Sequence, residues 1–150
     1  ARQDLLEELH EQVMESVALG AKIVTGGYQL DRPGSYYAPT ILTDVTSNMP
    51  AFNEEFFGPV AIVIKASEPA HALGIANGVD FGLAGSIWTN DLATAETMAR
   101  GMESGATFVN NISFSDPRMP FGGVKNSGYG RELSEQGIRE FTNVKSIWIK

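Results

Sequence analysis

The chain has 150 residues, of which 43% are hydrophobic and 19% are charged, and its formal net charge is −7. This length and balance are typical of one soluble globular domain with a sizeable core. The acidic charge argues against nucleic acid or an anionic membrane surface as a partner, because both are bound through basic patches. No apolar run approaches the roughly 18 residues of a membrane-spanning helix. We therefore expect a soluble, cytoplasmic protein.

The chain contains no cysteine and only two histidines, His10 and His71. The missing thiols exclude disulfides, thiolate metal sites and a cysteine nucleophile within the chain. Both histidines lie in helix-like segments without metal-ligand spacing, so we expect ordinary helix-face residues and no metal site. A serine or paired-carboxylate hydrolase also fits poorly, since both histidines lie far in sequence from the glycine-rich region.

The first third of the chain predicts an amphipathic helix followed by extended segments. The helix covers residues 4–19, with Asp4 and Glu7 in a capping-box pattern and Gly20 just beyond its end. Its apolar face is predicted from helical spacing to contain Leu6, Leu9, Val13 and Val17. The other predicted elements here are a strand at 22–25, a turn at 31–34 and an extended segment at 36–45.

From Val60 onwards, apolar runs alternate with helical patterns. The runs at 60–65, 83–89 and 106–110 are typical of buried strands. A helix that Ser67 can cap and a second helix at 91–103, capped by Asn90, separate them. This order predicts an α/β fold with an open, largely parallel sheet, right-handed crossovers and helices on both faces.

The end of the chain predicts a short helix at 134–141 and an apolar strand at 144–149. That strand ends in Ile147, Trp148 and Ile149. A terminal apolar strand can complete a sheet of its own chain or add to the sheet edge of a neighbouring subunit. The sequence alone leaves both alternatives open.

A long connection runs from Asn110 to Glu132 and contains several glycines and two prolines. Its bulky residues Phe114, Met119 and Phe121 need packing partners, which favours a shaped pocket wall over a flexible linker. The connection leaves the carboxyl end of a predicted parallel strand, where open sheets bind their ligands. Its glycines match neither the P-loop pattern nor the dinucleotide-binding pattern, so we expect no main phosphate cradle here.

A second candidate site is the turn at 54–59, Glu-Glu-Phe-Phe-Gly-Pro. A carboxylate can accept two hydrogen bonds at once, which suits the vicinal hydroxyls of a ribose. An aromatic residue two positions later could cover the sugar or an attached ring. The alternative is a solvated acidic turn whose aromatic residues belong to the core.

Three groups of motifs carry a resemblance to a known family. They are Glu-Phe-Phe-Gly-Pro-Val at 55–60, Asn-Gly at 77–78 with Phe-Gly-Leu-Ala at 81–84, and Pro-Phe-Gly-Gly-Val-Lys at 120–125 followed by Ser127, Gly128 and Gly-Arg-Glu at 130–132. In this order and spacing they resemble the C-terminal third of the NAD(P)-dependent aldehyde dehydrogenase superfamily. Residues 115–123, Ser-Asp-Pro-Arg-Met-Pro-Phe-Gly-Gly, most resemble bacterial succinate-semialdehyde dehydrogenases.

The resemblance implies roles for five residues. Glu55 would bind the hydroxyls of the nicotinamide-side ribose of NAD or NADP, and Phe57 would pack beside it. Phe121 would line the aldehyde tunnel. Ser115 would shape substrate choice and help to hold the distal carboxylate of a semialdehyde. Arg118 would either contribute to that binding or form a structural ion pair.

The implied chemistry is thiolate attack on an aldehyde, hydride transfer to the nicotinamide and hydrolysis of a thioester. Because this chain has no cysteine, we assign it no catalytic residue and expect it to be an inactive fragment of a longer enzyme. The resemblance implies a catalytic-domain portion at 1–141 and an oligomerisation strand at 142–150, serving a homodimer or homotetramer. The alternatives are a dehydrogenase for another small aldehyde and a stand-alone assembly module that uses its terminal strand.

Overall fold

The computed structural model describes residues 2–150, and the chain divides into two compact units. The first unit ends at Ser67 and the second covers Glu68–Lys150. Within the described residues, no helix has both the length and the apolar character that crossing a membrane requires.

The first unit combines two helices with a small mixed sheet. The sheet has the order β1-β2-β3, in which β1 and β2 are antiparallel and β2 and β3 are parallel. The pairing of β1 with β2 is irregular between Ile23 and Thr25. The elements are α1 (Gln3–Ala18), β1 (Lys22–Thr25), β2 (Thr40–Thr43), α2 (Pro50–Asn53) and β3 (Val60–Ile62).

The core of the first unit forms where α1 packs on the sheet and on α2. Leu6, Leu9 and Val13 are buried, as the helical spacing predicts. The fully buried position in the next turn is Ser16, whereas the predicted Val17 is only half-buried. The Ser16 hydroxyl donates to the Gln12 carbonyl (2.8 Å) and accepts from the Ala51 amide (2.9 Å). A buried hydroxyl therefore joins α1 to α2.

The second unit contains a strand-helix-strand motif and a short antiparallel pair. Strands β5 and β6 are parallel, in register from Ala84 opposite Ala106 to Ile87 opposite Val109, and α4 connects them and packs on both. Strands β4 and β7 are antiparallel. The elements are α3 (Pro69–Asn77), β4 (Phe81–Gly82), β5 (Ala84–Ile87), α4 (Leu92–Gly101), β6 (Ala106–Val109), β7 (Val124–Lys125) and α5 (Ser134–Arg139).

The predicted α/β class and the parallel pairing across a helix are confirmed. The described strands form three small sheets rather than the one open sheet that was predicted. Strand β3 pairs with β2, and β5 pairs with β6. Strand β3 ends at Ile62, earlier than the predicted residue 65.

Two predicted helix caps are wrong. Helix α1 has Arg2 at its N-cap, and the Asp4 carboxylate accepts from the Arg2 guanidinium instead of capping the helix. Helix α4 is capped by Asp91 rather than Asn90, because the Asp91 carboxylate accepts from the amides of Ala93 and Thr94. An aspartate in the N-cap position satisfies amides that the helix itself leaves unpaired.

Residues 143–150 adopt neither helix nor strand in the single chain. Their apolar side chains are largely exposed, with Val144 at 98% and Trp148 at 92%. The segment does not complete a sheet of its own chain, so this alternative is wrong for the isolated chain. Pairing with a neighbouring subunit stays a prediction.

The buried hydroxyl of Ser16 gives a stability prediction. Replacing Ser16 with Ala leaves the buried Ala51 amide without its acceptor, so we expect the free energy of unfolding to fall by about 1–3 kcal/mol. Urea denaturation followed by circular dichroism measures this change. Thr97→Ala is the matched control, since the Thr97 hydroxyl makes a similar bond to the Ala93 carbonyl on an exposed surface. It should change stability by less than about 0.5 kcal/mol. Equal losses in both variants would contradict the prediction.

Candidate functional site

The turn at 54–59 connects α2 to β3 and is fixed to α1. The Gln12 side-chain amide donates to the Glu54 carboxylate (2.8 Å), and the Glu54 backbone amide donates to the Pro50 carbonyl (2.9 Å). A Cβ atom added at Gly58 would overlap the Leu9 side chain, so the turn lies directly against α1 there. The position of the turn therefore depends on contacts with the well-packed first helix.

The two aromatic residues of this turn have different environments. Phe56 packs against the core of the first unit, whereas Phe57 is 67% exposed. The Glu55 carboxylate is exposed and makes no hydrogen bond or ion pair among residues 2–150. The alternative of two core aromatics is thus correct for Phe56 alone. An uncommitted carboxylate and an exposed aromatic ring, two residues apart, fit the requirements of a ribose and its attached ring.

In the second unit, Asn110 determines where the long connection leaves the sheet. Its carboxamide donates to the Thr89 carbonyl and accepts from the Thr89 amide, both at 2.9 Å. These side-chain bonds hold Asn110, the residue after β6, beside the segment that follows β5. Asn110 has φ of 53°, a left-handed conformation that asparagine tolerates better than most residues. No motif gave Asn110 a role, although an asparagine directly after a strand is a turn signal.

The first part of the connection packs back onto this strand pair. The Phe114 ring centroid lies 5.2 Å from that of Phe108 in β6, and the Ser113 hydroxyl lies 3.3 Å from the Ser86 hydroxyl in β5. The prediction that bulky residues of the connection find packing partners is correct for Phe114. It is wrong for Met119, whose side chain is 62% exposed.

Ser115 and Arg118 lie on the exposed part of the connection, on either side of Asp116. Arg118 binds the Asp116 carboxylate through Nε (2.9 Å) and Nη2 (2.6 Å), and its backbone amide donates to the same carboxylate (2.9 Å). The Asp116 side chain is only 16% exposed, whereas that of Arg118 is 86% exposed. A guanidinium has more N–H donors than this pair uses, so Arg118 can still bind a second anion. The Ser115 side chain is exposed and makes no hydrogen bond among residues 2–150.

The ion pair changes the acidity of both groups. Hydrogen bonds from Arg118 stabilise the Asp116 carboxylate and lower its pKa to about 2. The hydrogen bond from the Arg118 side chain to Asp116 and the attraction between the two charges raise the pKa of Arg118 above its ordinary value. Of the two roles predicted for Arg118, the structural ion pair is therefore present. A role of Arg118 in binding the carboxylate of a substrate stays a prediction.

Phe121 begins a segment that hydrogen-bonds to Arg131 and Glu132, at the end of the long connection. Its amide and carbonyl exchange hydrogen bonds with Glu132 at 2.9 and 2.8 Å. Arg131 crosses the same region, where Nη1 donates to the carbonyls of Gly123 (2.9 Å) and Gly130 (2.6 Å). We call Phe121–Gly123 the wall segment. With Leu83 and Tyr129 it borders an open cavity of about 430 Å³.

The sequence-predicted residues thus form two groups. Glu55 and Phe57 share a turn in the first unit, and Ser115, Arg118 and Phe121 share a connection in the second. Among residues 2–150, no three or more histidine or acidic side chains are arranged to hold a metal ion.

Comparison with known proteins identifies the family. Residues 1–147 match the aldehyde dehydrogenase family. The chain belongs to that family. It is 47% identical over 149 residues to a probable succinate-semialdehyde dehydrogenase [NADP(+)] of Synechocystis sp. and covers 33% of that protein. It is 48% identical over 148 residues to the succinate semialdehyde dehydrogenase [NAD(P)+] Sad of Escherichia coli and covers 32% of it. Each match includes 99% of this chain, which spans about a third of these relatives.

Solved structures of the family have the same fold. The succinic semialdehyde dehydrogenase of Streptococcus pyogenes, determined in complex with NADP+, matches with a TM-score of 0.92 and 37% identity. That match covers 99% of this chain and 32% of the streptococcal chain. The structure of Gox0499 matches with a TM-score of 0.93 and 44% identity, and it was determined in a study of cofactor and substrate selection. That match covers 99% of this chain and 33% of the Gox0499 chain.

The Asp116–Arg118 pair predicts a titration. We expect the Asp116 carboxyl carbon to titrate by NMR with a pKa of about 2, and Arg118→Met to return that pKa towards the ordinary 3.8. Because the folded-state pKa is depressed, the stabilisation by the pair is present above the unfolded pKa. It should be lost as the pH falls from about 4 to about 2. Arg139→Met, which removes the separate pair with Glu135, should leave Asp116 unchanged. An Asp116 pKa near 3.8 in the unaltered chain would exclude the pair in solution.

Proposed function

We propose that this chain is the C-terminal part of the catalytic domain of an NAD(P)-dependent succinate-semialdehyde dehydrogenase. The observation that carries the proposal is the 47% identity to a probable succinate-semialdehyde dehydrogenase across 99% of the chain. The parent enzyme would convert succinate semialdehyde, water and the oxidised cofactor into succinate, the reduced cofactor and protons. Within this chain, residues 1–141 would belong to the catalytic domain.

The proposed cofactor contact is the turn at 54–59. The uncommitted Glu55 carboxylate would accept hydrogen bonds from the hydroxyls of the nicotinamide-side ribose. Phe57 would cover the sugar with its exposed ring. When bound, NAD or NADP supplies the acceptor for the hydride of the aldehyde. The relatives named above include one that uses NADP and one that uses either cofactor, so both belong to the proposal.

The proposed substrate contact is the connection that carries Ser115, Arg118 and Phe121. Succinate semialdehyde has a carboxylate at the end opposite its aldehyde. The Ser115 hydroxyl and the unused N–H donors of Arg118 would bind that carboxylate, because both are exposed. The half-buried Phe121 would contact the apolar methylene groups between the two ends. Binding at the far end would orient the aldehyde.

The nucleophile of this proposal lies outside the chain, which has no cysteine. A thiolate elsewhere in the parent would attack the aldehyde to form a thiohemiacetal. Loss of a hydride to the oxidised cofactor would convert the thiohemiacetal into a thioester, which water would then hydrolyse. The chain spans about a third of the curated relatives, which leaves ample length for the nucleophile and the dinucleotide-binding region. The parent would be a cytoplasmic homodimer or homotetramer. Residues 142–150, exposed in the single chain, would form the oligomerisation strand.

Two alternatives remain distinguishable. A dehydrogenase for another small aldehyde would keep the cofactor contacts and would not depend on Ser115 or Arg118. A stand-alone assembly module would use the exposed segment at 143–150. The coding sequence upstream of residue 1 would distinguish a stand-alone module from the enzyme. The enzyme requires a cysteine-bearing segment there, and the module does not.

The substrate contact gives a kinetic prediction. In the full-length enzyme, Ser115→Ala and Arg118→Met should each raise KM for succinate semialdehyde about tenfold, because each removes a hydrogen bond to a carboxylate. KM for butyraldehyde, which lacks the carboxylate, should change less than about twofold. Arg139→Met is the charge-matched control and should affect neither substrate. Equal changes for both aldehydes would favour the alternative substrate.

The missing thiol gives a second prediction. The purified 150-residue chain should form no NADH or NADPH from succinate semialdehyde, because it has no cysteine to attack the aldehyde. Absorbance of the reduced cofactor measures the reaction, with the full-length enzyme as the positive control. Cofactor reduction by the 150-residue chain would contradict the proposed mechanism.

A further inference from the structure

We propose that Lys125 and Asn77 are positioning residues for the wall segment, Phe121–Gly123. With Glu103 they form a closed set of hydrogen bonds, which we call the Lys125 network. The network holds the backbone against which the wall segment lies. The inference rests on the proposed function only where it assigns the wall segment to substrate binding.

The Lys125 ammonium uses all of its N–H donors within the second unit. Nζ donates to the carbonyls of Asn77 (2.7 Å) and Val79 (3.0 Å) and pairs with Oε2 of Glu103 (2.7 Å). The Lys125 side chain is only 25% exposed. Asn77 is the last residue of α3, where the helix dipole favours a positive charge. The ammonium therefore joins β7 to the ends of two other segments.

Asn77 closes the network with its side chain. Its Nδ2 donates to the Gly101 carbonyl at the end of α4 (2.8 Å), and its Oδ1 accepts from the Glu103 amide (2.9 Å). Glu103 is thus held twice, by its backbone through Asn77 and by its carboxylate through Lys125. The ends of α3 and α4 and the strand β7 meet at one set of polar contacts.

The network reaches the wall segment through the backbone that follows Glu103. The Gly105 amide donates to the Gly82 carbonyl (3.0 Å), which fixes Gly105 to β4. A Cβ atom added at Gly105 would overlap the carbonyl of Gly122, so the two backbones are in direct contact. A shift of Glu103 would therefore move the surface on which Gly122 and Gly123 lie.

The backbone of Lys125 supports a positioning role. Lys125 has φ of 54°, a left-handed conformation that is unfavourable for a residue with a long side chain. Such strain costs free energy and persists only where the surrounding contacts enforce it. Here the contacts are those of the ammonium, together with the pairing of Lys125 with Phe81. Lys125 lies two residues beyond Gly123, so its conformation sets the direction in which the wall segment ends.

Hydrogen exchange of the 150-residue chain tests the network without requiring enzymatic activity. Lys125→Met should speed exchange at the amides of Gly105 and Phe121 by about tenfold or more, since it removes every contact of the ammonium. The Asn110 amide, bonded to Ile87 in the same unit, is the internal reference and should change much less. Uniform acceleration across the second unit would show a general loss of stability and would overturn the proposal.

Two substitutions at Glu103 separate hydrogen bonding from charge. Glu103→Gln keeps an oxygen that accepts from Lys125, whereas Glu103→Ala removes it. We expect Glu103→Ala to speed exchange at Gly105 and Glu103→Gln to retain most of the protection. Lys22→Met, which removes an exposed pair with Asp44 in the first unit, should leave these amides unchanged. Equal effects of the two Glu103 variants would contradict positioning by the network.

Kinetics of the full-length enzyme test the consequence for substrate binding. Lys125→Met should raise KM for succinate semialdehyde about fivefold or more while kcat changes less than about twofold, because a displaced wall weakens binding without removing a reacting group. Faster exchange with an unchanged KM would overturn the positioning role. An unaltered full-length enzyme that fails to oxidise succinate semialdehyde would refute the proposed function, and the exchange experiment would still judge the network.

Discussion

Direct contact between two backbones, at Gly105 and Gly122, is the constraint on which the cavity beside the wall segment depends. Neither position leaves room for a side chain. A Cβ added at Gly105 would overlap the Gly122 carbonyl, and a Cβ added at Gly122 would crowd the Gly130 carbonyl. Dispersion contacts at this separation are many but individually weak. The arrangement therefore needs polar side chains at its margins, which Lys125 and Arg131 supply.

The two units are stabilised in different ways. The first has a contiguous apolar core, with Val13 and Leu42 fully buried, and it also buries the hydroxyl groups of Ser16 and Thr40. In the described part of the second unit, only Ile87 and Ala95 are buried apolar residues. Burial of apolar surface is the main driving force of folding, so the second unit gains less from it. Hydrogen bonds from side chains to the backbone connect its segments instead. Removing one such side chain leaves several backbone groups without their hydrogen-bond partner.

The sequence predicted the elements that depend on local patterning. Helix α1 and strand β1 follow directly from periodicity and glycine placement, and the strand-helix-strand motif follows from the alternation of apolar runs. Helix α2 was missed because four residues are too few to show a period. Helical spacing puts Leu92 on the apolar face of α4, yet Leu92 is 68% exposed, because burial there depends on tertiary contacts that spacing cannot reveal.

The candidate site shows the same division. Motifs selected Glu55 and Phe57, and the structure shows that their side chains are exposed while Phe56 faces the core. Motifs also included Lys125 and Asn77, but without a reason, because their partners are backbone carbonyls and amides distant in sequence. Backbone groups carry no residue-specific signal. Contacts of this kind are therefore invisible until the chain is folded.

The Asp116–Arg118 pair also determines how the exposed connection would act on a charged ligand at a distance. Its two charges are opposite and in direct contact, so their fields cancel except at close range. An approaching carboxylate would feel little long-range attraction from this pair. Its binding would depend on short hydrogen bonds, which dissolved salt screens weakly. Selection at this connection would then rest on the fit of the bound ligand rather than on the speed of its capture.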